Sequence, residues 1–298
     1  MAHVEVQSTE ALFVSSGAAE IFYRDYSPSI ATKHITLVCL HAFIRNSRDF
    51  HELGLALASS GTRVLAPDLR GRGFSSRYPD VNAYRYENLL QDVWDLLGYL
   101  GLKQVVVLGS ALGGIMALDM AANSPERIMG VVLNDLGAEI GEAALKRMSV
   151  KGYVEAADYS FEEAVGRMKQ QFAEAYPGLT DPQWIGLMHR AYREVTPGRF
   201  SRDLDVLALA DGARMYRERP TFWKEFGATR ELPVALLRGE NSDYFTVDTA
   251  QRMLKYHPNA ILTTVKDRGH PPLLDEPESL HAIRVLLSRA QRRAEAAQ

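Results

Sequence analysis

The chain has 298 residues, 46% apolar and 24% charged, with a formal net charge of −3. These are globular proportions, long enough for a substantial core, and the charge balance gives no footing to nucleic acid or to an anionic membrane surface. The single cysteine, Cys39, excludes an internal disulfide and sits in an apolar run, where it reads as a small buried hydrophobe.

The opening residues Met1-Ala2-His3-Val4-Glu5 show no basic stretch followed by an apolar one, and no run reaches the ~18 apolar residues of a membrane span. The expectation is a cytoplasmic protein. Ala11–Ser15 and Glu20–Tyr26 flank Gly17 and read as a hairpin. Ile35–Leu40 predicts a short buried strand, Phe50–Ser59 a helix, and Arg63–Ala66 a strand that ends at Pro67-Asp68. Glu87–Leu100 sets Leu89, Leu90, Val93, Leu96, Leu97 and Leu100 at helical spacing. Val105–Leu108 and Ile128–Leu133 predict two further strands with a helix between them. Val234–Arg238 and Ala260–Val265 are strands, each followed by a helix, Val247–Tyr256 and Glu278–Arg293. Short apolar strands alternating with amphipathic helices make an α/β fold, a mostly parallel sheet with helices on both faces. Between about 141 and 230 the alternation stops. Phe161, Ala164, Val165, Met168, Phe172 and Ala175 keep helical spacing, and Trp184–Arg193 and Met215–Phe226 each predict a helix. The expected organisation is a core over 1–140, an all-helical cap over 141–230, and the second part of the core over 231–298.

The turn Gly109-Ser110-Ala111-Leu112-Gly113 joins the strand Val105–Leu108 to the following helix. Strand, glycine turn and helix with the pattern G-x-S-x-G form the nucleophile elbow of serine hydrolases. Both glycines are present, but Ala111 stands where the serine is expected, and a methyl group cannot attack a carbonyl. Ser110 is no substitute, because a pattern centred on it would need glycines where Leu108 and Leu112 stand.

Three other segments accompany this turn: His41-Ala42-Phe43 after a strand, Asp68 to Ser75 after another, and the pair Asn241-Ser242-Asp243 and Arg268-Gly269-His270-Pro271 after the last two strands. With these motifs in this order, the sequence resembles the α/β-hydrolase superfamily of serine type with a helical cap. The resemblance covers nearly the whole chain. It implies His270 as general base and Asp243 as the carboxylate that orients it, with Asp135 as the alternative acid, because some relatives place the carboxylate after the earlier strand. It assigns the oxyanion hole to the backbone amides of Phe43 and Leu112. Ala42 replaces the family's usual glycine. Asp68 to Ser75 reads as a turn, with Gly71 and Gly73 supplying conformational freedom and Arg70 pairing locally.

The cap offers aromatic and sulfur side chains. Phe43, Trp184, Met188, Tyr192 and Tyr216 are the candidate substrate contacts, and as a set they suit a small apolar or aromatic molecule. His189 and Arg193 read as surface residues. No HExxH, paired-cysteine pattern, P-loop or dinucleotide loop is present, so neither metal nor organic cofactor is expected. The expected activity is hydrolysis of an ester, lactone or related acyl bond, C–C bonds included, in a monomer or homodimer, with Ala111 marking an inactivated form. Two other readings stay open. One is a His–Asp dyad acting as a lyase or cofactor-free dioxygenase with native alanine, and the other is a non-catalytic ligand-binding receptor.

Overall fold

A computed structural model describes residues 6–29, 35–148, 157–209, 215 and 218–296. The chain opens with the antiparallel hairpin β1 (Val6–Val14) and β2 (Glu20–Pro28), followed by β3 (Thr36–Leu40), α1 (His51–Ala58), β4 (Val64–Pro67), α2 (Tyr86–Tyr99), β5 (Val105–Ser110), α3 (Leu112–Asn123) and β6 (Ile128–Asn134). After the insertion come β10 (Val234–Gly239), α8 (Val247–Tyr256), β11 (Ile261–Val265) and α9 (Pro277–Ala296). Eight strands form one sheet in the order β1-β2-β4-β3-β5-β6-β10-β11. β2 pairs antiparallel with β1 and β4, and every later pairing is parallel.

Every residue of β3, β5, β6 and β10 is buried, as expected for parallel strands covered on both faces. Side chains alternate between the two sides. Val105 and Val107 join Leu96, Ile115, Met116 and Met253 beneath α2, α3 and α8. Val106 and Leu108 join Leu53, Leu57, Ile283 and Leu286 beneath α1 and α9. Cys39 lies in this second layer, and burial pushes its thiol well above the ordinary range, so it acts as packing.

The insertion between β6 and β10 differs from the all-helical expectation. It contains α4 (Glu142–Met148), α5 (Phe161–Phe172), α6 (Asp181–Ala191) and α7 (Trp223–Ala228). It also contains three short strands, β7 (Asp158–Tyr159), β8 (Tyr192–Thr196) and β9 (Arg199–Arg202), paired antiparallel in the order β7-β9-β8. The helix expected to reach Arg193 stops at Ala191, and Tyr192 is already extended (φ −118°, ψ 157°). The β-branched Val195 and Thr196 favour a strand, and Gly198 at φ +74° turns it back into β9. The helix expected over Met215–Phe226 is broken rather than continuous: Met215 and Glu218 are helical, the run stops before Pro220, and a new helix begins at Trp223. Pro220 removes an amide, and Thr221 forms an isolated bridge with Glu139. The helices that formed as expected carry caps. Ser160 and Glu163 close a capping box at α5, and Thr180 and Gln183 do so at α6.

Two glycines decide whether the sheet and α3 can meet. A Cβ on Gly113 would lie 2.0 Å from the carbonyl oxygen of Leu40 in β3, and one on Gly109 would lie 2.1 Å from the backbone of Gly113. Backbone cannot yield as a side-chain tip does. Gly113→Ala is therefore expected to destabilise the fold by about 3 kcal/mol or more in urea unfolding. Gly166→Ala in α5 meets open space and should be neutral or stabilising by up to ~1 kcal/mol.

Candidate active site

The parallel register sets Ser110 of β5 beside Asn134 of β6, so that Ala111 and Asp135 stand at adjacent carboxyl ends of the sheet. Ligands bind open α/β sheets at this edge. Ala111 is almost closed to solvent and holds φ 46°, ψ −108°. A left-handed φ costs a residue with a Cβ of order 1 kcal/mol or more, so the turn keeps a strained bend with no serine to present. The Ala111 carbonyl accepts from the amides of Gly114 and Ile115. The amides of Leu112 and Gly113 precede the first full helical bond and meet no carbonyl of their own helix.

His270 follows β11, and its Nδ1 lies 2.8 Å from the Asp135 carboxylate. Asp135 is fully buried and accepts two further bonds, from the Gly239 amide at 2.8 Å and from Ser242 Oγ at 2.5 Å. The expected acid, Asp243, is not the imidazole's partner, and this corrects the assignment made from sequence. Its loop takes part in other ways. Ser242 donates to Asp135, and the Tyr244 ring stacks on the His270 ring with centroids 3.8 Å apart. The Asp243 backbone packs against Gly141, where a Cβ would lie 2.1 Å from its carbonyl oxygen, while Asp135 at φ 57° turns its carboxylate under the imidazole. Asn134, adjacent to Asp135, donates from Nδ2 to Ser110 Oγ at 2.9 Å and to the Pro272 carbonyl at 3.0 Å. One amide thus ties the turn at 111 to the loop of His270. It also accounts for Ser110, whose hydroxyl is an acceptor in this tie.

The loop after β3 is held just as closely. His41 is fully buried, and its Nε2 accepts from the Leu69 amide at 3.0 Å. The proton therefore sits on Nδ1, which donates to the Ala42 carbonyl at 2.8 Å. That carbonyl shares its peptide plane with the Phe43 amide, so the imidazole fixes the amide's direction. Ala42 is not among the residues with positive φ, and alanine fits there without strain. Arg72 is fully buried and donates to the carbonyls of Phe43 (3.1 Å), Arg70 (2.8 Å) and Ala208 (3.3 Å), with its guanidinium 5.1 Å from the Phe43 ring centroid. Burial pushes Arg72 down to about 10. Asp68 accepts from the amides of Ser47 and Phe74. Arg70 pairs not locally but with Asp92 on α2.

The insertion's candidates are placed differently. Trp184, Met188 and Tyr192 are buried together with Tyr159, Met168 and Tyr176 in the insertion's own core. They are packing residues there rather than walls of an open site. Phe43 stays half-buried beneath Arg72. Tyr216 lies outside the described residues. Sequence reasoning missed Tyr176, whose hydroxyl donates to the Pro271 carbonyl at 2.8 Å, next to Ala175, whose carbonyl accepts from Gly269 at 2.5 Å. The two bonds flank His270. Neither residue carries a local pattern that could have announced this.

The sequence pattern of the alpha/beta hydrolase fold matches residues 35–277. The chain belongs to the alpha/beta hydrolase family. A solved alpha/beta hydrolase from Novosphingobium aromaticivorans shares 33% identity, with a TM-score of 0.86 over 96% of this chain and 99% of that one. A 3-hydroxybutyrate-oligomer hydrolase of Cupriavidus necator is 26% identical over 82% of this chain and 85% of its own. The sn-1-specific diacylglycerol lipase ABHD11 of Mus musculus is 27% identical over 81% of this chain and 77% of its own. Among the described residues no helix is long and apolar enough to cross a membrane.

Burial holds His41 down to about 4, from the ~6.5 of a free imidazole. Between these values the unfolded chain binds a proton that the folded chain refuses. Stability is therefore lost as pH falls through this window, by up to about 3 kcal/mol. Burial raises Asp68, which acts with the opposite sign in neighbouring pH ranges. The share of His41 is isolated by a variant. The stability gap between wild type and His41→Gln in urea should narrow as pH drops from 7 towards 4, and parallel curves would show that His41 carries a charge in the fold.

Proposed function

We propose that this family member is built to hydrolyse an ester, lactone or related acyl bond, C–C bonds included, of a small apolar or aromatic substrate, and that Ala111 leaves it able to bind that substrate without turning it over. The observation that carries this reading is the Asp135–His270 pair at 2.8 Å, set beside a bend whose tip keeps the strained φ of 46°. With a serine at 111, His270 takes the hydroxyl proton through Nε2, the ring nitrogen left open by the bond from Nδ1 to Asp135. It then returns the proton to the leaving group. Asp135 stabilises the imidazolium, and the amides of Phe43 and Leu112 receive the negative charge that develops on the substrate oxygen. The insertion serves as the cap over this edge of the sheet. The two relatives named as hydrolases of 3-hydroxybutyrate oligomers and diacylglycerol are in keeping with ester chemistry.

The absence of a nucleophile costs up to about 10⁶ in kcat, or roughly 8 kcal/mol of transition-state stabilisation. Ala111→Ser should restore turnover of small aryl esters and labelling at 111 by a fluorophosphonate, and silence in both assays overturns the proposal. In the restored enzyme Asp135→Asn should lower kcat by about 10³–10⁴-fold, whereas Asp243→Asn should leave it within about twofold. The reverse order would return the acid's role to Asp243.

A second reading is favoured by the pair's being complete without any nucleophile. In it His270 abstracts a proton directly, in a lyase or a cofactor-free dioxygenase. It requires the chain as it stands to be active and His270→Ala to be inactive. Tight ligand binding with no turnover in either form would instead mark a receptor.

A further inference from the structure

At the seam between core and insertion, three arginines converge on one carboxylate. The Asp203 side chain is fully closed to solvent. Arg48, from the turn before α1, donates to its Oδ2 at 2.5 Å, and Arg77, from the loop after β4, donates to its Oδ1 at 3.1 Å. Arg193 of β8 comes within 3.5 Å of the same oxygen. All three remain partly open, with 22%, 31% and 36% of their side-chain surfaces exposed. Solvent therefore meets the arginine side chains but not the carboxylate they share.

Donors outnumber acceptors here. Arg48 has one further acceptor, the Arg190 carbonyl at 3.3 Å. Among the described residues Arg77 donates only to Asp203, and the Arg193 guanidinium makes no hydrogen bond. Burial and the neighbouring charge of Arg193 both push Arg77 below its ordinary value. Asp205 also faces Arg77, but its carboxylate accepts from Tyr84 and Leu207 and it faces Arg72 as well. Asp68 also faces Asp203, and its own oxygens accept from the amides of Ser47 and Phe74. Four guanidinium groups (Arg48, Arg72, Arg77 and Arg193) thus meet three carboxylates, and the three that reach Asp203 belong to side chains still partly open to solvent.

We infer that Arg48, Arg77 and Arg193 form a binding site for a tetrahedral oxyanion, the phosphoryl group of a small molecule, with Asp203 holding the three forks in place from behind. Three guanidinium groups arriving from three chain segments suit an anion with acceptors in several directions better than a planar carboxylate, which one fork satisfies. The site shares no residue with the Asp135–His270 pair and does not depend on the proposed hydrolysis.

Inorganic phosphate is the probe, titrated into the unaltered chain at fixed ionic strength with chloride as the balancing salt. Thermal unfolding and ³¹P line broadening provide the readouts. Saturable stabilisation in the millimolar range is expected. Sulfate should share it and acetate should not. Arg193→Gln should weaken phosphate binding at least tenfold, with Arg193→Lys in between, while Arg289→Gln on α9 should leave it unchanged. Among the described residues the Arg193 guanidinium makes no hydrogen bond, so its loss tests the site without unfolding the seam. Stabilisation that follows ionic strength alone, equal response to acetate, or undiminished binding in Arg193→Gln would each overturn the inference.

Discussion

The approach of α3 to the sheet is the constraint on which the remainder of this molecule rests. The helix begins one residue after the bend, and its first turn lies against the carbonyl end of β3 with no room for a side chain at Gly113. That contact fixes the bend at Ala111 and the direction of the first amides of α3. It also sets the height of α3 above β5 and β6, whose ends carry Ser110, Asn134 and Asp135. The strain at 111 is sustained because the surrounding packing leaves the backbone no alternative.

Much of this was legible in the chain. The buried strands announced themselves as unbroken apolar runs, because a strand covered on both faces has no reason to alternate. The strand–glycine–helix turn was visible because steric exclusion leaves glycine as the residue that fits at 109 and 113. The histidine after the last strand was picked out by the order of motifs that the family resemblance implies. Its carboxylate partner was not. Asp135 and Asp243 both follow strands, and β6 and β10 are neighbours in the sheet. Linear position therefore puts either carboxylate within reach, and the choice depends on which backbone turns inward. Asp135 does so at φ 57°, while residue 243 lays its backbone against Gly141.

The insertion was harder to read for a related reason. Trp184, Met188 and Tyr192 are as apolar as pocket walls, but a small subdomain needs its own core, and these residues supply it. The strands β7, β8 and β9 are too short for a period of two to stand out from helical spacing, and β8 begins directly where α6 ends. Fully buried polar groups such as His41, Arg72 and Asp203 carry no linear signal at all. Their partners are backbone groups and charges that only the assembled fold brings together. His41 and Arg72 act on the same short loop, one through the Ala42 carbonyl and the other through that of Phe43. The geometry of that loop is thus set by two side chains closed to solvent.

The two bonds that bracket His270 have a mechanical corollary. Ala175 accepts from Gly269 on one side, and Tyr176 donates to Pro271 on the other. The loop that carries the imidazole is therefore braced by the insertion as well as by the core, so a substitution that shifts residues 175 and 176 reaches His270 through its backbone without touching the ring.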